Sequence, residues 1–351
     1  MQQIIDQFSE SIRQAAAHQR PLRIRGSGSK DFYGGPLSGA VLDITPYRGI
    51  VAYEPKELVL TARAGTPLAE IEKTLAENGQ MLPFESPYFG PGATLGGCVA
   101  AGLSGPRRAY QGAVRDFVLG VRLLDGRGDD LSFGGQVMKN VAGYDVSRLM
   151  VGAMGTLGVL LDISIKVLPR PLKEITLSFE MEEAQAIHTM NRWAGLPLPL
   201  SATCYHDRIL TVRLSGAANA VKAAQLKLGG GRVDDGDVFW HGVCEQTTNF
   251  FKTDFPLWRV SLPSIAQPMS LPGQQLIEWG GALRWWKTNA NADAVRQAAT
   301  HLGGQATLFR GGDKASGVFH SLPPALMKIH QRLKQTFDPH GIFNLGRMYD
   351  F

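Results

Sequence analysis

Apolar residues return at helical spacing at the start of the chain, where Ile4, Phe8, Ile12 and Ala15 share one face of a predicted helix. The period then shortens. Leu22 to Arg25, Val41 to Ile44, Ile50 to Tyr53 and Leu58 to Arg63 read as strands, punctuated by Pro46, Gly49 and Pro55. Thr66-Pro67 opens a helix with Leu68, Ile71 and Leu75 on one side and Gly79 just past its end. Phe117 to Leu124 and Asp130 to Phe133 flank Asp125-Gly126-Arg127-Gly128-Asp129, a hairpin signal. Leu161, Ile163, Ile165 and Val167 alternate with polar residues, as in a half-buried strand.

Pro169-Arg170-Pro171 predicts the main domain boundary. Beyond it lie a strand (Ile175 to Phe179), a helix (Glu183 to Ala194), a hairpin about His206-Asp207 and a helix (Ala217 to Leu228). Gly229-Gly230-Gly231 and Asp234-Asp235-Gly236-Asp237 read as loops. Strands follow at Trp258 to Leu262 and from Leu276 to Trp286, the latter turning at Gly280-Gly281. A helix (Ala292 to His301), a strand (Ala306 to Phe309) and a last helix from Pro323-Pro324 to Asp338-Pro339 complete an α+β pattern.

Length and composition narrow the class. With 351 residues, 44% hydrophobic and 19% charged, the chain is globular and predicts two or three domains. Its 36 basic and 31 acidic residues leave +5, scattered without a basic run, which argues against nucleic-acid binding. Cys98, Cys204 and Cys244 make no metal or cluster spacing, so no metal site and a reducing, cytoplasmic setting are expected. The N-terminal segment has no apolar core of a secretory signal. The uncharged run from Ser86 to Pro106 holds six glycines and three prolines, and the apolar run from Leu149 to Leu161 is 13 residues long; neither predicts a membrane span.

Glycine is the informative residue. Of 41 glycines, 16 fall among the 69 residues from Gly90 to Gly158. Such density suits either a turn-rich domain or a main-chain cradle for a phosphate-bearing cofactor. The familiar nucleotide motifs fail: Gly26-Ser27-Gly28 has Asp31 where a third glycine belongs, Gly126-Arg127-Gly128 fails at Leu131, and there is no P-loop. Four segments carry candidate chemistry. Arg25-Gly26-Ser27-Gly28-Ser29 follows a strand and is either a plain turn or a pyrophosphate-binding turn. Gly92 to Gly105 is nearly bare of side chains, as for tight helix packing or for a ligand lying on the backbone. Lys139-Asn140-Val141-Ala142-Gly143-Tyr144-Asp145 leads to Gly155-Thr156-Leu157-Gly158, and Phe337 to Arg347 ends in Asn344-Leu345-Gly346-Arg347.

Taken in order, these segments resemble the vanillyl-alcohol-oxidase (PCMH) type of FAD-binding family, and within it the FAD-binding subunits of bacterial glycolate oxidases. The stretches that carry the resemblance include PLRIRGSGSKDFYGGP, GQMLPFESPYFGPGATLGGCVAAGLSGPRR, FGGQVMKNVAGYDVSRLMVGAMGTLGVLLDISIKVLPRP, LPGQQLIEWGGALRW and FDPHGIFNLGRMY. The resemblance implies an FAD-binding domain of two α+β subdomains over residues 1–170, an α+β cap over 171–322, and a helix and tail over 323–351 returning to the flavin. By matching position, Gly26, Ser27, Gly28 and Ser29 are expected at the pyrophosphate. Gly92, Ala93, Thr94, Gly96, Gly97, Ala101 and Ser104 are expected to line the FAD, Gly112, Gly155, Gly158 and Val159 to complete the cradle, and Asn344 and Arg347 to approach the isoalloxazine ring.

Four departures refine the expectation. Ser29 stands where covalently flavinylated relatives often carry His, so the FAD is expected to be non-covalent. Ala153-Met154 replaces a Ser-Glu pair, and Leu345 replaces a tail proline. The segment Gln305 to Asp313 lacks the paired histidines that hold a metal in related 2-hydroxy-acid dehydrogenases. Flavin oxidation of a 2-hydroxy acid needs a base, a hydride acceptor and a cation for the carboxylate. Arg259, Arg284 and Arg310 on the cap strands are candidates for that cation, and no residue stands out as the base. The resemblance further implies glycolate oxidation to glyoxylate in a complex with a homologous larger FAD subunit and an iron–sulfur subunit, with peripheral membrane association through the complex. A catalytically silent scaffold or electron relay, and a stand-alone oxidase of another alcohol, are the alternatives.

Overall fold

In the computed structural model, residues 1–135 and 145–350 are described; the Lys139–Tyr144 stretch lies outside them. Most of the predicted elements form within one or two residues of their expected ends. The helix Gln2–Ala17 buries Ile5, Phe8, Ile12 and Ala15, one residue off Ile4 at its start. An antiparallel five-stranded sheet runs in the order Ile50–Glu54, Val59–Arg63, Val159–Lys166, Val118–Leu124, Asp130–Gly134. Its central strand Val159–Lys166 buries six of eight side chains, since it is covered on both faces.

Leu22–Arg25 pairs in parallel with Ala40–Asp43 and on its other side with the C-terminal tail. There the Leu22 amide donates to Ile342 O at 2.7 Å and the Asn344 amide to Leu22 O at 2.9 Å. The first strand and residues 342–344 thus form one unit, and one apolar core runs from Ile5 to Phe343.

An eight-stranded antiparallel sheet follows, in the order Gly231–Val233, Lys173–Glu180, Ile209–Gly216, Leu200–His206, Gln274–Glu278, Leu283–Lys287, Leu257–Ser261, Gln305–Arg310. Two sequence expectations change here. Gly231, read as loop, begins an edge strand, and Asp234–Asp237 leads directly into the helix Gly236–Cys244. That helix forms because Trp240 and Val243, three apart, bury together, and Trp240 Nε1 donates to Thr176 Oγ1 at 3.0 Å. Asp237 in its first turn complements the helix dipole.

An ionic network with buried arginines joins the glycine-rich stretch to the large sheet. Arg107 pairs with Glu85 at 2.8 Å and Glu174 at 2.5 Å, and Arg213 reaches Glu85 at 2.9 Å. Glu85 precedes the glycine-rich stretch, whereas Glu174 and Arg213 stand on the large sheet. Losing one partner would strand a charge, typically at about 3–5 kcal/mol, so the network fixes how the halves face each other.

Candidate functional site

The glycine-rich segments converge on one groove. Gly92 to Gly105 proves to contain the helix Leu95–Ala101, capped by Thr94 Oγ1 accepting from the Gly97 amide and ended by Gly102 in the left-handed region at φ 63°. Both readings of this stretch hold at adjacent residues. A Cβ on Gly96 would lie 2.8 Å from Ala64 Cβ, so Gly96 serves helix–strand packing. Gly97, on the next position round the helix, opens onto the groove.

Around that groove stand Gly26, Ser27, Gly28 and Ser29 from the first turn, Thr94, Gly97 and Ala101 from the short helix, and Asn344 and Arg347 from the tail. Gly96, Gly155 and Gly158 line its inner end. Close contacts hold the segments together. A Cβ on Gly26 would meet Thr94 Oγ1 at 2.5 Å, and the Met154 amide donates to Ala100 O at 2.8 Å. Asn344 is the junction: its Oδ1 accepts from the Ile24 amide at 2.8 Å and its Nδ2 donates to Met154 O at 2.6 Å.

Of the other expected residues, Gly92, Ala93, Ser104, Gly112 and Val159 lie outside the groove lining, whereas Arg347 is part of it. Gly92 sits at the rim, where its Cβ would come 3.6 Å from Ser27 Cβ. Ala93 is 2% exposed, with its carbonyl engaged by the Leu68 amide, and Val159 is a buried sheet residue opposite Leu124. Gly112 ends a helical turn beside Asp116 and Phe117. Ser104 faces a different, inner cavity. Arg347, expected near the ring, donates to Gly35 O at 2.5 Å and to Tyr33 O, and so braces the 31–35 loop; burial lowers its pKa to about 10.

The donor set suits a dinucleotide. The Ser27 and Gly28 amides carry no hydrogen bond to protein among the described residues. Arg23, Arg25 and Lys30 ring the mouth, and Asp31 holds the first two. Unpaired main-chain amides among cations form an anion nest, and the bare helix face gives room for a planar group.

The arginines separate by sheet face. Paired residues of antiparallel strands share a face, so Arg259, opposite Trp285, points toward the groove side with Leu276 and Phe309. Arg310 joins that side and lies 4.6 Å from the Phe32 ring centroid. Arg284 lies on the opposite face, fully buried, with its guanidinium donating to Ala266 O and Gln267 O at 2.5 and 2.9 Å. It cannot share a carboxylate with Arg259, which corrects that candidate. Arg284→Met is expected to lower Tm by a few degrees, from about 1–2 kcal/mol of lost bonding, while leaving carboxylate affinity unchanged; a tenfold loss of affinity would restore its candidacy.

Sequence reasoning missed Glu278. It is 4% exposed beneath the sheet, its Oε1 accepts from Trp285 Nε1 at 2.7 Å, and burial raises its pKa to about 8. The available signal was position: Glu278 follows Leu276 and Ile277 on a strand buried on both faces, so whichever face it takes its carboxylate is buried.

Comparison with known proteins gives three findings. Residues 3–146 match the family model described as FAD binding domain. The chain is 52% identical over 340 residues to the glycolate oxidase subunit GlcE of Escherichia coli K12, covering 97% of this chain and 96% of that protein. It is 30% identical over 175 residues to the glycolate oxidase subunit GlcD of Bacillus subtilis 168, covering 49% of this chain and 37% of that one. Two solved structures of alkyldihydroxyacetonephosphate synthase share the fold, with TM-scores of 0.67 and 0.68 over 97% of this chain at 14% and 13% identity.

Proposed function

We propose, from the premise that this chain belongs to the family of the glycolate oxidase subunit GlcE, that it is an FAD-binding subunit of a heteromeric glycolate oxidase, oxidising glycolate to glyoxylate. The observation that carries the reading is the convergence of the 26–29, 94–101, 155–158 and 344–347 segments on one groove with unpaired amides and a cationic mouth. Residues 1–170 form the FAD-binding domain, 171–322 the cap, and 323–351 the return to the groove.

When bound, FAD supplies a two-electron acceptor. The chain's own residues do the rest. The Ser27 and Gly28 amides, with Arg23 and Arg25, hold the pyrophosphate. Gly97 and Ala101 let the dinucleotide lie against the helix. Asn344 keeps the tail, the first strand and the Met154 turn in register around it. Ser29 has no ring nitrogen for a flavin bond, so attachment is non-covalent. Arg259 and Arg310, on the sheet face toward the groove, supply cations for a carboxylate. GlcD-like and iron–sulfur subunits complete the complex, which works in the cytoplasm or at the inner face of its membrane. No described helix is long and apolar enough to cross a membrane.

The experiment is to purify the chain with its candidate partners, record the absorption spectrum, precipitate with acid, and add glycolate anaerobically to the intact complex. A yellow supernatant and bleaching by glycolate are expected. Colourless protein that cannot be reconstituted with FAD sinks the cofactor reading. Full turnover in a complex whose groove has been destroyed makes this chain a scaffold.

A further inference from the structure

The helix Pro324–Phe337 meets the rest of the chain along one edge. Only Lys334 and Phe337, toward its C-terminal end, are buried. Phe337 packs edge-on against Phe133, and His330 rests against the Tyr349 ring with centroids 5.7 Å apart. Other apolar residues turn outward. Leu326 and Ile329 are 46% and 51% exposed. With Leu333, which is half-buried against the core, they recur at intervals of three and four and make one stripe along the helix. A single exposed leucine needs no explanation, but this is the spacing of a helix–helix seam.

Charge narrows what can cover the stripe. From Lys314 to Phe337 there is no Asp or Glu, in a chain that has 31 of them. Lys328 and Arg332, four apart and exposed, run beside the stripe. Among the described residues the helix makes one ion pair, Lys334 with Asp338, at its inner end, so the two outer cations have no acidic partner within the chain. The stripe is narrow and built of Leu and Ile, without the aromatic residues of a helix that lies in a membrane surface. Its complement is a helix with an apolar ridge and Asp or Glu along the ridge's flank, as in charge-matched helix pairs.

The same helix reaches the floor of the groove. Lys334 Nζ donates to Thr156 O at 2.9 Å, to Phe343 O at 2.8 Å and to Asp338 Oδ2 at 2.6 Å. Asp338 in turn accepts from the Ile342 and Phe343 amides at 3.0 and 2.8 Å. Thr156 adjoins Gly155 and Phe343 adjoins Asn344, and both of those neighbours line the groove. Holding the outer side of the helix therefore steadies the turn and the tail that shape the flavin site.

Resting on the reading of a heteromeric complex, we propose that the Leu326, Ile329 and Leu333 stripe, flanked by Lys328 and Arg332, docks an acidic amphipathic helix of a partner subunit, and that docking tightens the flavin groove through Lys334. The coupling is reciprocal: flavin in the groove strengthens docking by the same factor that docking strengthens flavin binding.

The test uses the chain co-expressed with its candidate partner subunits, and the purified chain beside it. Ile329→Asp, and Lys328→Glu combined with Arg332→Glu, change exposed positions, so each should leave the thermal midpoint of the isolated chain within about 2 °C. Ile329→Asp should weaken co-elution with the partner at least about tenfold, and Ile329→Leu should keep it. The charge reversal should weaken it about as much at low salt, and wild-type docking should itself weaken as salt rises. Flavin release, followed by the fluorescence of free FAD, should be at least about fivefold slower from the complex than from the isolated chain. Unchanged co-elution in both variants overturns the docking surface while the heteromeric reading stands. A wild-type chain that co-elutes with no candidate subunit overturns that reading, and the docking surface with it. Sedimentation of the isolated chain with phosphatidylglycerol vesicles, abolished by Ile329→Asp, would make the stripe a membrane face. A dimer of the isolated chain dissolved by the same substitution would make it a contact between copies, and either result overturns the proposal. Equal flavin release from complex and isolated chain overturns the coupling through Lys334.

Discussion

Gly97→Glu protein is expected to purify folded and colourless. Gly97 is the third residue of the Leu95–Ala101 helix and lines the groove from both of its ends. The nearest atom to a Cβ there is Thr94 Oγ1 at 3.2 Å, with nothing else within 4 Å, so a side chain can leave the helix without striking the core. It then enters the space proposed for the dinucleotide and brings a negative charge toward its phosphates. Loss of at least nine-tenths of bound flavin is expected, with a thermal midpoint near that of FAD-free wild type. Normal flavin content would remove Gly97 from the site. Gly96 supplies the contrast. Its Cβ would press on Ala64 Cβ at 2.8 Å and Ala64 O at 3.0 Å, so Gly96→Val should cost about 1–3 kcal/mol of stability. Two neighbouring glycines thus fail for different reasons, one by losing the ligand and one by losing the packing.

That contrast shows what the sequence could and could not convey. Glycine density located the groove, because only a backbone stripped of side chains can be approached this closely. It could not separate Gly96 from Gly97, since rotation about a helix axis depends on where the helix docks. The strand endings were legible from alternation, and so was the turn at Gly280-Gly281. The helix Gly236–Cys244 was not, because Asp234, Asp235 and Asp237 resemble a loop until Trp240 is seen buried against Thr176. Arg284 and Arg259 looked equivalent on predicted strands. Register decided between them: Arg284 pairs with Val260 and Ile277 on one face, and Arg259 pairs with Trp285 on the other. Asn344 and Arg347, expected beside the flavin ring, both stand at the groove. Their polar atoms are taken up by Ile24, Met154, Gly35 and Tyr33, so they assemble the site more than they face into it.

Glu278→Gln is expected to stabilise the protein, and more so as pH rises. In the folded chain Glu278 holds its proton up to about pH 8, against an ordinary value of 4.5. The folded state therefore binds more protons than the unfolded state between those values. Stability falls with pH wherever that is so, by about 1.4 kcal/mol per unit. The penalty is absent below 4.5, grows across the window, and is complete once the folded carboxyl ionises near 8. Glutamine keeps the shape and an acceptor for Trp285 Nε1 but has no proton to lose. Chemical denaturation at pH 5 should show wild type and variant within about 1 kcal/mol. At pH 8.5 the variant should lead by about 3–5 kcal/mol. A constant difference across the range would mean that Glu278 is ionised throughout, in which case burial has not raised its basicity and it could accept a proton no better than a surface carboxylate. The stability lost at high pH thus measures how strongly that buried carboxyl holds its proton.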